Sequence, residues 1–224
     1  MGYFKRRHTT AINGSNSSSK LTITTAATVL LTQIFSTTLS VFLSPPAIAL
    51  PGQNRDQVLD WIKTHPFLRP ASGERLLVRK SDTPSKRFQF QATVLIPGLA
   101  EIRGNANIIR SEQIQFFDII NGVTKSRLEE SLRAIYGPEI MHDYATAPKI
   151  YAYPTAAMVQ RSQSKNASPI LAALQGELRQ GKKYGYWLEL LQNGRGSANS
   201  GQITIFELEN LPKLELELSK REKL

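Results

Sequence analysis

Apolar and polar residues alternate one by one along residues 87–96, where Phe88, Phe90, Ala92, Val94 and Ile96 interleave with Arg87, Gln89, Gln91 and Thr93. A period of two buries one face and wets the other, the pattern of a strand in an antiparallel sheet. Residues 74–80 and 114–120 predict flanking strands. Turns at 82–85 and at Pro97-Gly98 then make residues 74–120 a β-meander. Ahead of it, Val58, Leu59, Trp61 and Ile62 fall on one helical face behind a capping pair, Asn54 and Gln57. Proline at 66 pushes His65 out of the α region and ends that helix.

From Thr124 the period changes to that of a helix, with Leu128, Leu132 and Ile135 in register, Ser126 and Glu129 as a capping box and Gly137-Pro138 as the stop. A short strand follows at 149–153, then a weak helix at 155–163 and a loop at 164–167. The next segment predicts a helix from a Ser168 cap through Pro169, Ile170, Leu171, Leu174 and Leu178 to Gly181. Tyr184, Tyr186, Leu188 and Leu190 share one side of a strand. A loop at 192–201 leads to a partner strand at 202–208. Leu211, Leu214 and Leu218 behind Asn210 predict a terminal helix. Runs of adjacent strands interrupted by helices define an α+β fold, a single domain with helices packed on one face of an antiparallel sheet.

The first 49 residues contain no acidic side chain. Lys5, Arg6, Arg7 and Lys20 precede an uncharged stretch, and Ala47 and Ala49 stand at the two positions a signal peptidase inspects. This reads as a signal peptide, residues 1–49, cleaved after Ala49. Residues 21–43 are long enough to serve instead as a retained membrane anchor, although their many Thr and Ser residues argue for removal. His8-Thr9-Thr10 after the Arg pair favours the general secretory route over the twin-arginine one. Residues 50–224 then form the domain, 175 residues, enough for one core burying about 70% of its unfolded surface. The leader holds four of 28 basic and none of 18 acidic residues, leaving 24 against 18, a net charge of +6 on the domain. That modest value argues against nucleic acid as a partner.

The element order is loosely similar to that of small two-layer chaperones of bacterial secretion systems, a likeness of pattern that implies no activity. Two stretches, Gln57-Val58-Leu59-Asp60-Trp61-Ile62-Lys63-Thr64-His65-Pro66-Phe67-Leu68 and Leu174-Gln175-Gly176-Glu177-Leu178-Arg179-Gln180-Gly181, resemble uncharacterised exported proteins of cyanobacteria. That resemblance implies a periplasmic or thylakoid-lumen address and carries no known chemistry.

The chain has no cysteine, which removes disulfides, thiolate nucleophiles and Cys-ligated metals. Past the leader it has two imidazoles, His65 and His142, so neutral-pH acid and base chemistry has few carriers. His65 at a helix end suits a partly positive ring facing the dipole. Glu139 and His142 have a metal-ligand spacing, but one such pair in a short segment falls short of a di-metal set. The Gly-rich segment 193–201 lies between strands and lacks the helix that phosphate loops require. No cofactor and no metal are expected.

Two patches remain for binding. Arg179, Lys182 and Lys183 adjoin Tyr184, Tyr186 and Trp187, a basic cluster beside aromatics, while Tyr151 and Tyr153 share one face of a strand that ends in proline, as an edge strand does. The leading expectation is an exported, non-enzymatic domain acting through protein or envelope-surface contacts, an assembly factor, accessory subunit or binder. Behind it stand a hydrolase using two of the carboxylates Asp118, Glu139, Asp143 and Glu189, and a binder of acidic polymer or anionic membrane.

Overall fold

The capping box forms as its spacing predicts. Asn54 Oδ1 accepts from the Asp56 N–H at 2.9 Å and Gln57 Oε1 from the Asn54 N–H at 3.3 Å, opening α1, Arg55–Thr64. Its buried stripe is the expected one, Val58, Leu59, Trp61 and Ile62. His65 corrects one expectation. Its Nε2–H donates to the Ile135 carbonyl and its Nδ1 accepts from the Phe67 N–H, which fixes a neutral tautomer. Burial lowers its pKa in the same direction, so no positive ring faces the helix end.

A computed structural model describes residues 50–98, 104–163, 170–193 and 196–221. The leader with Ala47 and Ala49, and the expected cap Ser168-Pro169, lie outside them. Every described element belongs to one compact unit, Leu43–Leu224. The strands are β1 (Leu77–Thr83), β2 (Lys86–Thr93), β3 (Ser111–Asp118), β4 (Lys149–Tyr153), β5 (Leu174–Gln180), β6 (Tyr184–Gln192) and β7 (Ala198–Glu207). They form one antiparallel sheet in the order β1-β2-β3-β7-β6-β5-β4. Two meanders thus meet at the β3–β7 pair, and β4 lies on the far edge. The α+β class and the antiparallel sheet are those the sequence predicts.

Helix α2, Lys125–Thr146, crosses from the centre of the sheet to that edge. Thr124 caps it, accepting from the Arg127 N–H, in place of the expected Ser126. Gly137-Pro138 stops the first helix as expected, and α2 is two helices joined across a kink at Gly137. Gly137 takes φ +81°, ψ −175°, and Pro138, pre-set for a first helical turn, starts the second half.

The larger correction is β5, where the sequence predicts a helix. Only α4, Ile170–Ala173, is helical, and from Leu174 onward the chain is a strand. Leu174 and Leu178 are four apart, which fits a helical stripe and one face of a strand equally, and the sheet decides. β7 likewise begins at Ala198, not 202, so the expected loop is shorter.

Helices α1 and α2 cover one face of the sheet, burying Phe90, Ile114, Leu128, Leu132, Tyr186, Ile203 and Ile205 among others. A second, smaller cluster lies on the opposite face, where α3 (Ala156–Ser162) and α5 (Leu211–Lys220) pack Met158, Leu211, Leu214 and Leu218 on Tyr153, Leu178, Trp187 and Phe206. This second layer spans the β4–β7 half. Over β1, β2 and β3 no described element covers that face.

Candidate ligand-binding face

Strand register lines up residues of five strands into rows on this face. One row runs Arg79, Gln89, Gln115, Gln202 and Glu189 across β1, β2, β3, β7 and β6. The next runs Leu77, Gln91, Gln113, Thr204 and Trp187. A third carries Ser81, Arg87, Phe117 and Ser200. The open face is therefore made of amides, hydroxyls and two guanidiniums, and its inner rows end where α5 begins to cover the sheet.

The amides are oriented from that covered side. Gln113 Nε2 donates to Gln202 Oε1 at 2.9 Å, and Gln202 Nε2 donates to Glu189 Oε1 at 3.4 Å. Glu189 Oε2 accepts from the Tyr153 hydroxyl at 2.5 Å and from Arg221 Nη1 at 2.8 Å, while the Trp187 indole N–H donates to the Tyr153 oxygen at 2.8 Å. Burial, and beside it the Glu189 carboxylate, push the Tyr153 phenol well above its ordinary pKa, so it stays a donor. Glu189 thereby holds one end of a polar chain that reaches the centre of the open face.

Two depressions lie on this face. One, of about 540 Å³, is lined by Arg79, Arg87, Gln89, Gln115, Phe117 and Ser200 among others, and Arg87 stacks 4.2 Å from the centre of the Phe117 ring. The other, of about 190 Å³, lies among Gln91, Thr93, Ser111, Gln113, Trp187 and Thr204, with Leu95 and Ile96 at its side. Thr204 is 3% exposed, and its buried hydroxyl has no hydrogen-bond partner. No carboxylate lines either depression. A further depression of about 750 Å³ sits at the end of the sheet beside the exposed Ile119 and Ile120.

The α1/α2 side of the sheet holds three acidic groups in structural roles. Glu112 is fully buried, accepts from the Tyr136 hydroxyl at 2.6 Å through one oxygen and leaves the other without a partner. Burial pushes its carboxyl up to about 7, against the pull of Tyr136. Glu177 accepts from Lys125, Arg179 and the Tyr144 hydroxyl. Burial would raise it, but the Lys125 and Arg179 hydrogen bonds prevail and hold it below its ordinary value. Asp118 accepts the Asn121 N–H and an Arg127 guanidinium, which together lower it to about 2.

The residues singled out in the sequence do not gather in one place. Arg179 lies on the α2 side, over the Tyr144 ring at 4.7 Å, whereas Trp187 points to the opposite face beneath Arg221. Lys182 and Lys183 occupy the β5–β6 turn, and the Lys182 N–H donates to Asp143. Tyr151 and Tyr153 do share a face of an edge strand, with ring centres 6.0 Å apart, but Tyr153 is buried under the second cluster. Of the four carboxylates, Asp118 and Glu189 stand on opposite faces of the sheet, and Asp143 accepts from the Tyr186 hydroxyl. Among the described residues no three acidic or imidazole groups come together as a metal set, His142 and Glu139 included. Gln113, Gln115, Gln202, Arg79 and Thr204 were not singled out. Their signal was the Gln-Ile-Gln alternation at 113–115, which acquires meaning once β3 is placed between β2 and β7.

No family model, no curated protein and no solved structure matches the chain. Among the described residues no helix is long and apolar enough to cross a membrane.

Proposed function

We propose that this protein is an exported, non-enzymatic binding domain that acts by protein or envelope-surface contacts, with the open face of β1, β2 and β3, and Ser200 and Gln202 at its border on β7, as its contact surface. The carrying observation is the asymmetry of the second layer. Helices α3 and α5 cover the β4–β7 half, while the other half presents half-buried glutamines held in fixed orientation and two arginines without an acidic partner among the described residues. Fixed amides cost less conformational entropy on binding than free ones, which favours recognition over mere solvation. The export half of the reading rests on the basic n-region, the uncharged stretch and the Ala47-Ile48-Ala49 site, and on the resemblance to exported cyanobacterial proteins. That address is periplasm, thylakoid lumen or medium.

The test is co-purification from the native envelope with the wild type and with a Gln113→Glu, Gln115→Glu variant. Both positions are half-exposed; Gln113→Glu forfeits the hydrogen bond to Gln202, so thermal unfolding of the variant checks that the fold is kept. The reading expects a specific companion that the variant loses. A companion retained at full yield, or none at native abundance, contradicts it.

A further inference from the structure

We propose that the open face binds an extended, hydroxyl-rich polysaccharide that carries carboxylate groups. Arg79 and Arg87 take an anionic group, and Gln91, Gln113 and Thr204 take neutral hydroxyls. The inference rests on reading that face as the contact surface and adds the chemistry of what it holds.

The charged end comes first. Arg79 and Arg87 are diagonal neighbours on β1 and β2, a spacing of roughly 7–8 Å in an antiparallel pair. Both are exposed, and neither has an acidic partner among the described residues. The Arg87 guanidinium sits over the Phe117 ring, Cζ 4.2 Å from its centre, which limits its freedom, and a guanidinium so placed can meet an oxyanion in bidentate fashion. The acids flanking them in sequence are engaged by other groups: Asp82 pairs with Lys86, and Glu74 accepts the backbone N–H groups of Arg79 and Ala71.

Along the strands the chemistry changes from charged to neutral. From Arg87 to Thr93 the face extends about 20 Å. Its far part offers Gln91, Thr93, Ser111, Gln113 and Thr204 and no charge. Side-chain amides both donate and accept, which matches vicinal hydroxyls. Thr204 is the specific mark, because it is among the residues lining the groove and its hydroxyl, shielded from solvent, has no partner, which is rare in folded proteins. A ligand hydroxyl placed there would complete it.

Nucleic acid fits the same surface poorly. Single strands need open aromatic faces and a cationic track along the backbone. Here guanidiniums lie over both rings, Arg87 over Phe117 and Arg221 over Trp187, and with Arg221 paired to Glu189 the two cations left for a ligand, Arg79 and Arg87, stand at one end.

Calorimetric titration of the protein at physiological salt with alginate oligosaccharides, neutral dextran and single-stranded DNA tests the inference. Alginate should bind, and dextran and DNA at least about tenfold more weakly, since each loses the anion contact or the hydroxyl match. Arg79→Gln with Arg87→Gln should weaken alginate about tenfold or more. Thr204→Val should weaken it about fivefold without lowering the thermal midpoint, which separates a lost contact from lost folding. Absence of alginate binding, DNA binding as tight as alginate, or affinity unchanged in these variants overturns the proposal. If the Gln113/Gln115 variant still loses its envelope companion while alginate gives no heat, the ligand class is wrong and the contact surface stands. If neither result depends on the face, both fall.

Discussion

A β-carbon on Gly176 would lie 2.3 Å from both Cζ and Oη of Tyr153, so the phenol lies across β5 only because position 176 has no side chain. The phenol joins Trp187 to Glu189 there, and through Glu189 it anchors Gln202 and Gln113 of the open face. Gly176→Ala should therefore destabilise the domain by about 2–3 kcal/mol through overpacking and displace the Tyr153 ring. Thermal unfolding and the near-ultraviolet signal of Trp187 check this. An unchanged midpoint would mean that Tyr153 has room to move.

Gly137 gives the contrasting case. Nothing lies within 4 Å of a β-carbon built there, yet its φ of +81° is one that side chains rarely adopt. Gly137→Ala should cost about 1–3 kcal/mol from backbone strain alone, since this extended positive-φ region is essentially confined to glycine. Because the strain sits at the bend of α2, the loss should appear in unfolding midpoints with little change in the aromatic signals of the sheet.

Glu112 makes stability depend on pH. Its folded pKa of about 7 lies above the ordinary 4.5, so the folded state holds its proton more tightly than the unfolded chain does. The contribution is fully present below pH 4.5 and is lost as pH rises through 7. Glu112→Gln keeps an acceptor for Tyr136 and has nothing to ionise. It should match or slightly trail the wild type at pH 4.5 and exceed it by roughly 3 kcal/mol at pH 8. Urea unfolding of both proteins across that range checks the sign, and a wild type that holds its lead at pH 8 would refute it.

How far the fold was legible depends on how local each signal was. The Asn54–Gln57 box and the alternation at 87–96 lie within single elements, and α1 and β2 follow from them closely. β5 was lost to an ambiguity of period, since Leu174 and Leu178 fit both patterns. What favours the strand is Gly176 beneath Tyr153, a contact across 23 residues. The open face was half visible. Arg87, Gln89, Gln91 and Thr93 announce a wet surface, but Gln115 and Gln202 join them only through the β2–β3–β7 register. The Glu189–Arg221 pair depends on where α5 lands, and the bare Thr204 hydroxyl on what packs beside β7, neither of which a local pattern encodes.

The contact surface is tested most directly by photo-crosslinking from two positions in cells: Gln115 in the centre of the open face, and Lys63, exposed on α1 on the far side of the sheet. The account predicts a discrete adduct from 115 that is lost with Arg79→Gln and Arg87→Gln, and none from 63. Equal yields from both positions, or an adduct from 63 alone, would contradict it.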